Sequence, residues 1–552
     1  MEKITKPKKI ILAAPSWAGF ATGLLFWWAS FTPSLLPRVW YLQAILTGIS
    51  VAMGYGLGVV GGTAIGFFYH TFHWPKPSPA MQRVRWQLLS IAALFFGSLS
   101  LILSLRHQKE LRQLMGMPPE FAFHGIYTAL LAISLATLLI IFCRCVRGLN
   151  HYLDKRLNHI IPEPLAYVVS LLFVFTLLVG VIGQTGYSRL RSYANSAFRH
   201  RDAVIQKNLV APAASEESGS RASVVAWNQL GKQGRAFVAG TTQPTQLESF
   251  SHKPSTQPIR VYAGLSTAST DMARAGVVLQ ELQRTKAFDR SIVCITTTTG
   301  TGWVDPDSPR ALEYMYNGSV ATAAMQYSYL PSWISFLTDR ETAAQAGRAL
   351  IETIHSYWSS LPVDHRPKLV IFGESLGAYG SQADFQTVKD IVARTDGVLW
   401  VGPPNASRLW EDLSQHRDNG TPFWLPVYQH GQTVRFAARP TDITRPSPIW
   451  PSPHALYLQY PSDPVVWWSP ELLYKKPAWL NPPRGYDVSS EMQWYPVVSW
   501  VQMTVDLALA GNVPAGHGHV YNGDIYNAWA AISSPPGWTN QSTQQLRTYL
   551  GE

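Results

Sequence analysis

Five long apolar segments constrain this chain more than any other feature of its sequence. Their interiors hold almost no charged side chain, and they cover approximately residues 11–31, 39–69, 87–105, 121–143 and 164–186. Each is long enough to cross a bilayer as a helix, which takes about 20 residues. The first segment lacks the small-residue cleavage site of a signal peptide. The sequence therefore predicts a five-helix transmembrane domain over residues 1–186.

The second apolar segment carries a stripe of glycines at four-residue spacing: Gly54, Gly58, Gly62 and Gly66. Such a stripe leaves one helix face nearly bare, so that a neighbouring helix can pack closely against it. We expect this packing to occur within the bundle. The alternative is a homo-oligomer that forms through the same face.

Charge divides the chain into two parts. Residues 1–209 contain 20 Lys+Arg and 6 Asp+Glu, a net charge of +14, whereas residues 210–552 contain 25 and 28, a net charge of −3. Basic residues between apolar segments follow the positive-inside pattern and not that of a nucleic-acid surface. We therefore expect a multi-pass protein of the inner (plasma) membrane and no nucleic-acid partner. The loop charges place the N-terminus in the cytoplasm and, after five spans, the C-terminal part on the periplasmic or extracellular side.

The pattern changes after the last apolar segment. Residues 187–258 are polar and predict a juxtamembrane helix followed by a linker. Beyond them, strands are predicted at 259–263, 291–296, 368–372, 397–401 and 455–460, and helices at 270–286, 340–358, 378–393 and 494–510. Apolar strands that alternate with helices are typical of a mostly parallel sheet with helices on both faces. We predict an α/β catalytic domain over residues 259–552.

A candidate nucleophile lies in this second domain. Residues 373–377 read Gly-Glu-Ser-Leu-Gly, directly after one predicted strand and before a helix. This G-x-S-x-G pattern in a strand–turn–helix context is typical of a nucleophile elbow, in which glycines relieve crowding around a strained serine. The sequence therefore predicts Ser375 as the nucleophile.

A serine nucleophile needs a base and an orienting acid, which follow it in the order Ser, Asp/Glu, His. Asp463 comes soon after the predicted strand 455–460, which is the expected position of the acid. The histidines after it are His517 and His519, in a glycine-rich loop. The flanking glycines favour His517 slightly, but either can be the base.

The oxyanion needs two backbone N–H donors. Leu376 follows the nucleophile and is the first candidate, and Leu265, after an earlier predicted strand, is the second. The glycine-rich turn at residues 299–303 is the rival, and it lacks the Lys and Ser/Thr of a phosphate-binding loop. With three cysteines and no C-x-x-C or H-E-x-x-H motif, we expect neither a cofactor nor a metal.

Several motifs together resemble the integral-membrane α/β-hydrolase family of bacteria. They lie at residues 30–38, 299–303, 326–333, 373–377, 461–464 and 516–519. The resemblance covers nearly the whole chain. It implies an N-terminal membrane domain and a C-terminal α/β-hydrolase domain, and it supplies Ser375, Asp463 and a histidine of the last motif as the catalytic residues. It does not supply a substrate.

An aromatic, nearly uncharged segment at residues 314–337 either packs in the core or forms a lid or wall that faces the bilayer. The leading hypothesis is a membrane-anchored serine hydrolase, an esterase or lipase, that cleaves an acyl ester of a lipid or envelope substrate through an acyl-enzyme. Its partners would be membrane lipids and that ester. One alternative is an acyltransferase with the same triad, and another is a non-catalytic membrane receptor or scaffold with a hydrolase fold.

Overall fold

The computed structural model describes residues 14–73, 78–119, 122, 124–157, 184–206, 208–338, 340–451 and 454–552. The chain divides into two compact units. The first contains residues 1–193 together with residues 470–480 and 488–509, and the second contains residues 194–469, 481–487 and 510–552. Two short segments from the C-terminal part of the chain therefore belong to the N-terminal unit.

The first unit is helical. Its long helices are Trp17–Ser30, Trp40–Thr71, Pro79–Leu114 and Gly125–Leu157. Among the described residues, three helices are long and apolar enough to cross a membrane, at Trp40–Tyr69, Pro79–Leu114 and Gly125–Arg156. They indicate that the protein associates with a membrane. Within the described residues, the span predicted at 11–31 is a helix of only 14 residues, and the span predicted at 164–186 lies almost wholly outside the described residues.

The glycine stripe packs against the protein's own first helix. A Cβ atom on Gly54 would lie 2.5 Å from a ring carbon of Phe26, and one on Gly58 would lie 1.8 Å from the Thr22 hydroxyl. At Gly62 the nearest neighbour, at 3.0 Å, also belongs to this helix. The stripe from Gly54 to Gly62 is thus occupied within the unit and is not free for a second copy of the chain.

A buried ion pair ties one C-terminal segment to the first unit. Nε of Arg38 lies 2.9 Å from Oδ1 of Asp506, which is on the helix Val498–Leu507. The N–H of Leu35 donates to the other carboxylate oxygen at 3.1 Å. The turn between the first two helices therefore depends on a carboxylate about 470 residues later in the chain.

The second unit is built on a seven-stranded parallel sheet, which confirms the predicted fold class. The strand order is β1-β3-β2-β4-β5-β7-β6. The strands are β1 (Ile259–Ala263), β2 (Ile292–Thr297), β3 (Val320–Met325), β4 (Lys368–Glu374), β5 (Gly397–Val401), β6 (Val434–Ala437) and β7 (Ala455–Leu458). Nearly every strand residue is buried, as expected for a parallel sheet covered by other elements.

Helices pack against this sheet. Those that contact its strands include Asp271–Arg284, Asp307–Met315, Arg340–Ser360, Leu376–Gln382, Val388–Arg394 and Asp524–Ser533, and the same unit also contains Arg408–Gln415 and Asn540–Leu550. The helix predicted at 378–393 is therefore two shorter helices. In the main core the Phe372 ring lies 6.1 Å from that of Trp529, so β4 packs against the helix Asp524–Ser533.

Two strands were not predicted, and one of them changes how the site is interpreted. β3 lies inside the aromatic segment 314–337 and pairs with both β1 and β2. Residues 320–325 of the aromatic segment therefore belong to the sheet, and only the part of the segment after Met325 can form a lid or wall. The strand reads Val-Ala-Thr-Ala-Ala-Met, and alanine has a low β-propensity, so composition does not reveal it.

Candidate active site

The serine of the G-x-S-x-G motif occupies a strained turn between β4 and the helix Leu376–Gln382. Ser375 has φ 54° and ψ −124°, in the region that only a tightly constrained non-glycine residue adopts. A Cβ atom on Gly373 would lie 2.7 Å from the Gly377 carbonyl, and one on Gly377 would lie 2.2 Å from the Thr297 oxygen. Both glycines are therefore needed for the chain to turn here, which explains the motif.

The candidate acid is completely buried and tightly held. Asp463 follows β7, and its Oδ2 lies 2.6 Å from Nδ1 of His519. The same oxygen accepts the hydroxyl of Tyr521 at 2.7 Å, and Oδ1 accepts the N–H of Val465 at 2.8 Å. A carboxylate with three donors is well placed to fix the orientation and tautomer of the imidazole.

The imidazole of His519 lies beside the elbow. A Cβ atom on Gly402 would lie 2.5 Å from its Cε1, and Gly402 directly follows Val401, whose carbonyl accepts the N–H of Ser375 at 2.8 Å. Nε2 of His519 is buried and has no hydrogen-bond partner within the described part of the chain. If Nδ1 donates its proton to Asp463, Nε2 has a free lone pair. The structure thus pairs His519 with Asp463 beside the turn that holds Ser375, and no hydrogen bond joins Nε2 to the serine hydroxyl.

The other histidine of the loop has its own acid. Nδ1 of His517 lies 2.9 Å from Oδ2 of Asp487, which is fully buried. The same oxygen accepts the hydroxyl of Ser462 at 2.6 Å, and that hydroxyl accepts the N–H of Gly518 at 2.8 Å. The slight preference for His517 as the base is therefore not supported, because its partner is not Asp463. Instead, His517 and Asp487 hold the loop in place next to His519.

Comparison with known families agrees with this fold. Residues 259–546 match the model of a family described as the alpha/beta-hydrolase family, and residues 31–241 match that of its N-terminus. The first match alone spans more than half of the chain. The chain belongs to the alpha/beta-hydrolase family. Comparisons with curated proteins and with solved structures gave no match.

One of the two oxyanion candidates in this hydrolase needs correction. Leu376 directly follows the nucleophile, at the first position of a helix, where backbone N–H groups have no partner within the helix. Leu265 follows the edge strand β1, which β3 and β2 separate from β4, and its N–H donates to Gln326 at 3.0 Å. It is therefore not a neighbour of Ser375. The second donor is expected in the loop two strands before the elbow in chain order, and without β3 that loop is the one after β1.

With β3 included, the loop two strands before the elbow is the one after β2. It is a direct neighbour of the elbow, because the hydroxyl of Thr297 donates to the Gly377 carbonyl at 2.6 Å. In this loop the N–H of Thr299 donates to the Trp303 carbonyl, and that of Gly300 donates to the Ser332 hydroxyl. This loop contains the rival glycine-rich turn of the sequence analysis.

A pair of buried carboxyl groups lies behind the nucleophile and was missed by the sequence analysis. Glu374 precedes Ser375 and shares a hydrogen bond with Asp305, and both are almost completely buried. Burial and the nearby Asp307 raise the pKa of Asp305 to about 7, and burial and Asp305 raise the pKa of Glu374 well above its usual value. We infer that the pair holds at least one proton at neutral pH. The acidic residue next to the serine of the motif, Glu374, is the sequence feature that could have indicated this pair.

No group of three or more His, Cys, Asp or Glu side chains in the described part of the hydrolase is arranged to hold a metal ion. Cys294 is buried in β2, where burial raises its thiol pKa to about 12. This thiol is therefore a poor nucleophile at neutral pH, and Ser375 is the better candidate.

Proposed function

We propose that this protein is a membrane-associated serine hydrolase that cleaves acyl esters through an acyl-enzyme. The observation that supports this most strongly is the contact between His519 and Asp463 beside the strained turn of Ser375. An isolated serine hydroxyl is a weak nucleophile, and an imidazole held by a buried carboxylate is the usual means of activating it.

In the proposed mechanism, Oγ of Ser375 attacks the ester carbonyl while Nε2 of His519 takes the hydroxyl proton. The oxyanion accepts the N–H of Leu376 and a second N–H from the loop after β2. When the tetrahedral intermediate collapses, the C–O bond to the alcohol breaks and His519 returns the proton to the leaving oxygen. Water then attacks the acyl-enzyme with His519 as the base, and the carboxylic acid leaves.

The substrate class that we propose is an acyl ester of a lipid or of another envelope component. The described part of the chain combines three helices that are apolar enough to cross a membrane with the candidate site, and such esters occur in membranes. The acyl acceptor is proposed to be water. An acyltransferase would use the same three residues and differ only in which acceptor reaches the acyl-enzyme.

Turnover of a chromogenic acyl ester by the full chain in detergent tests the proposal. Ser375→Ala should leave less than about 1% of wild-type activity, because its hydroxyl forms the covalent intermediate. Ser356→Ala, on the exposed side of the helix Arg340–Ser360, should be unchanged. Wild-type-like activity of Ser375→Ala would refute the mechanism. A lipid with a labelled acyl chain then separates release to water from transfer to another acceptor.

We also propose the plasma membrane as the location and its periplasmic or extracellular side for the catalytic domain. Ser215 is exposed, whereas residues 217–220 are buried, so Ser215→Cys is the suitable probe. The exposed Cys143 and Cys145 would first be replaced by serine, and the buried Cys294 retained. A membrane-impermeant maleimide should label Ser215→Cys in intact cells. Labelling only after lysis would place the domain in the cytoplasm.

A further inference from the structure

A short helix contacts loops on both sides of the strand that precedes Ser375. Ser375 is only 8% exposed, although it lies on a turn at the end of the sheet. The helix Ser332–Thr338, which follows β3, begins against the loop after β2. There the Ser332 hydroxyl accepts the N–H of Gly300 at 3.1 Å, and a Cβ atom on Gly300 would lie 2.5 Å from the Leu330 oxygen.

The other end of this helix meets the loop after β7. The ring of Phe336 lies 5.6 Å from that of Trp468, at an interplanar angle of 72°, and Trp468 comes five residues after Asp463. In the sheet, β4 and β5 lie between β2 and β7. A helix that contacts the loops after both β2 and β7 therefore passes over the end of β4, where Ser375 lies.

The contact between Phe336 and Trp468 is apolar. Phe336 is 4% exposed and Trp468 is 6% exposed. The guanidinium carbon of Arg340 lies over the Phe336 ring, 5.1 Å from its centre, and the edge-to-face contact between the two rings provides apolar surface that favours hydrocarbon. It joins two loops that lie on either side of the nucleophile.

We propose that Phe336 and Trp468 form the wall that binds the acyl part of the substrate, and that this part is an extended hydrocarbon chain. The inference rests on the proposed serine hydrolase activity and specifies the substrate class of that site. Substrates with long acyl chains would gain contact with the two rings, whereas an acetyl group would gain little.

The test compares kcat/KM for p-nitrophenyl acetate and p-nitrophenyl decanoate, using the full chain in detergent. Phe336→Ala should lower the decanoate-to-acetate ratio of kcat/KM by about 10-fold or more, and Phe336→Leu should restore much of it. The matched control is Phe288→Ala. Phe288 is similarly buried and packs 4.7 Å from the ring of Tyr357, on another part of the domain. This control should leave the ratio unchanged.

An unchanged decanoate-to-acetate ratio in Phe336→Ala, whether or not both values of kcat/KM fall, would overturn the proposed acyl-binding role of Phe336 and Trp468. Wild-type protein provides a measurement that no folding defect can affect: a decyl fluorophosphonate should label Ser375 faster than an ethyl fluorophosphonate. Equal labelling rates would also overturn the wall. Failure of the proposed function has a different signature, since hydrolysis would then be absent or would persist in Ser375→Ala.

Discussion

Nδ1 of His519 lies 2.6 Å from Oδ2 of Asp463, and the carboxylate has no exposure to solvent. These two residues are 56 positions apart, and neither is in the segment of the G-x-S-x-G motif. In the proposed mechanism this contact orients the imidazole so that Nε2 is the nitrogen available to the serine.

Removing each histidine of the loop should have different effects. His519→Ala should lower the rate of ester hydrolysis by about 1,000-fold or more, because the base is lost. His517→Ala should lower it by roughly 10- to 100-fold, the effect typical of a residue that orients another group. Steady-state kinetics of both variants measures this. A larger loss in His517→Ala than in His519→Ala would reverse the assignment.

Gly402 should be intolerant of a side chain for a reason specific to catalysis. Its φ is +52°, and a Cβ atom would lie 2.5 Å from Cε1 and 2.8 Å from Nδ1 of His519. We expect Gly402→Ala to displace the imidazole and to lower kcat by about 10-fold or more. Gly420→Ala is the control, since Gly420 has φ +82° but open space at its Cβ position. If both variants lose the same activity, backbone strain alone explains the loss.

The carboxyl pair behind the nucleophile predicts a pH dependence of stability. Asp305 has a pKa of about 7 in the folded protein and an ordinary value of 3.8 when unfolded. Between these values the folded state binds more protons, so the free energy of unfolding falls as the pH rises from about 4 to about 7. Asp305→Asn stays neutral and should lose this part of the slope.

Thermal unfolding of wild type and Asp305→Asn at several pH values between 5 and 8 would measure the difference. The exposed Asp364→Asn serves as the control and should follow the wild-type curve. The stability of Asp305→Asn relative to wild type should increase with pH over this range. Parallel curves for Asp305→Asn and wild type would show that the pair does not retain a proton.

The buried ion pair of the first unit should contribute strongly to its stability. Asp506→Ala leaves the buried guanidinium of Arg38 without its partner, a change that typically costs about 3–5 kcal/mol. Glu491→Ala breaks the ion pair between Glu491 and Arg106, whose side chains are 38% and 71% exposed, respectively. This variant should lower the free energy of unfolding by about 1 kcal/mol or less. Unfolding of both variants in detergent tests this. Equal destabilisation would contradict the structural role of Asp506.

The parts of the site that are local in sequence could be predicted, and those that depend on distant contacts could not. Ser375 lies in a five-residue motif whose glycines are required by the turn itself. Asp463 follows a strand that could be predicted from the apolar residues of the strand itself. The choice between His517 and His519 depends on which carboxylate each one meets, and these contacts join residues that are 30 and 56 positions apart.

The fold shows the same division. Strands rich in Val, Ile, Leu or aromatic residues were predicted, whereas the alanine-rich β3 and the short β6 were not. β6 contains Arg435, whose guanidinium is buried and donates to three backbone carbonyl groups. A charged residue in a four-residue strand hides the apolar pattern. Because β3 was not predicted from the sequence, the second oxyanion candidate was Leu265 and not a residue of the loop after β2.

Covalent labelling is the most direct test of whether Ser375 is a nucleophile that His519 activates. The folded full chain would be treated with a fluorophosphonate and the modified residue identified by peptide mass spectrometry. We expect a single adduct on Ser375, which forms much more slowly in His519→Ala and is absent after denaturation. An unlabelled Ser375 under conditions in which a control serine hydrolase reacts, or an adduct that forms equally fast in His519→Ala, would contradict this expectation.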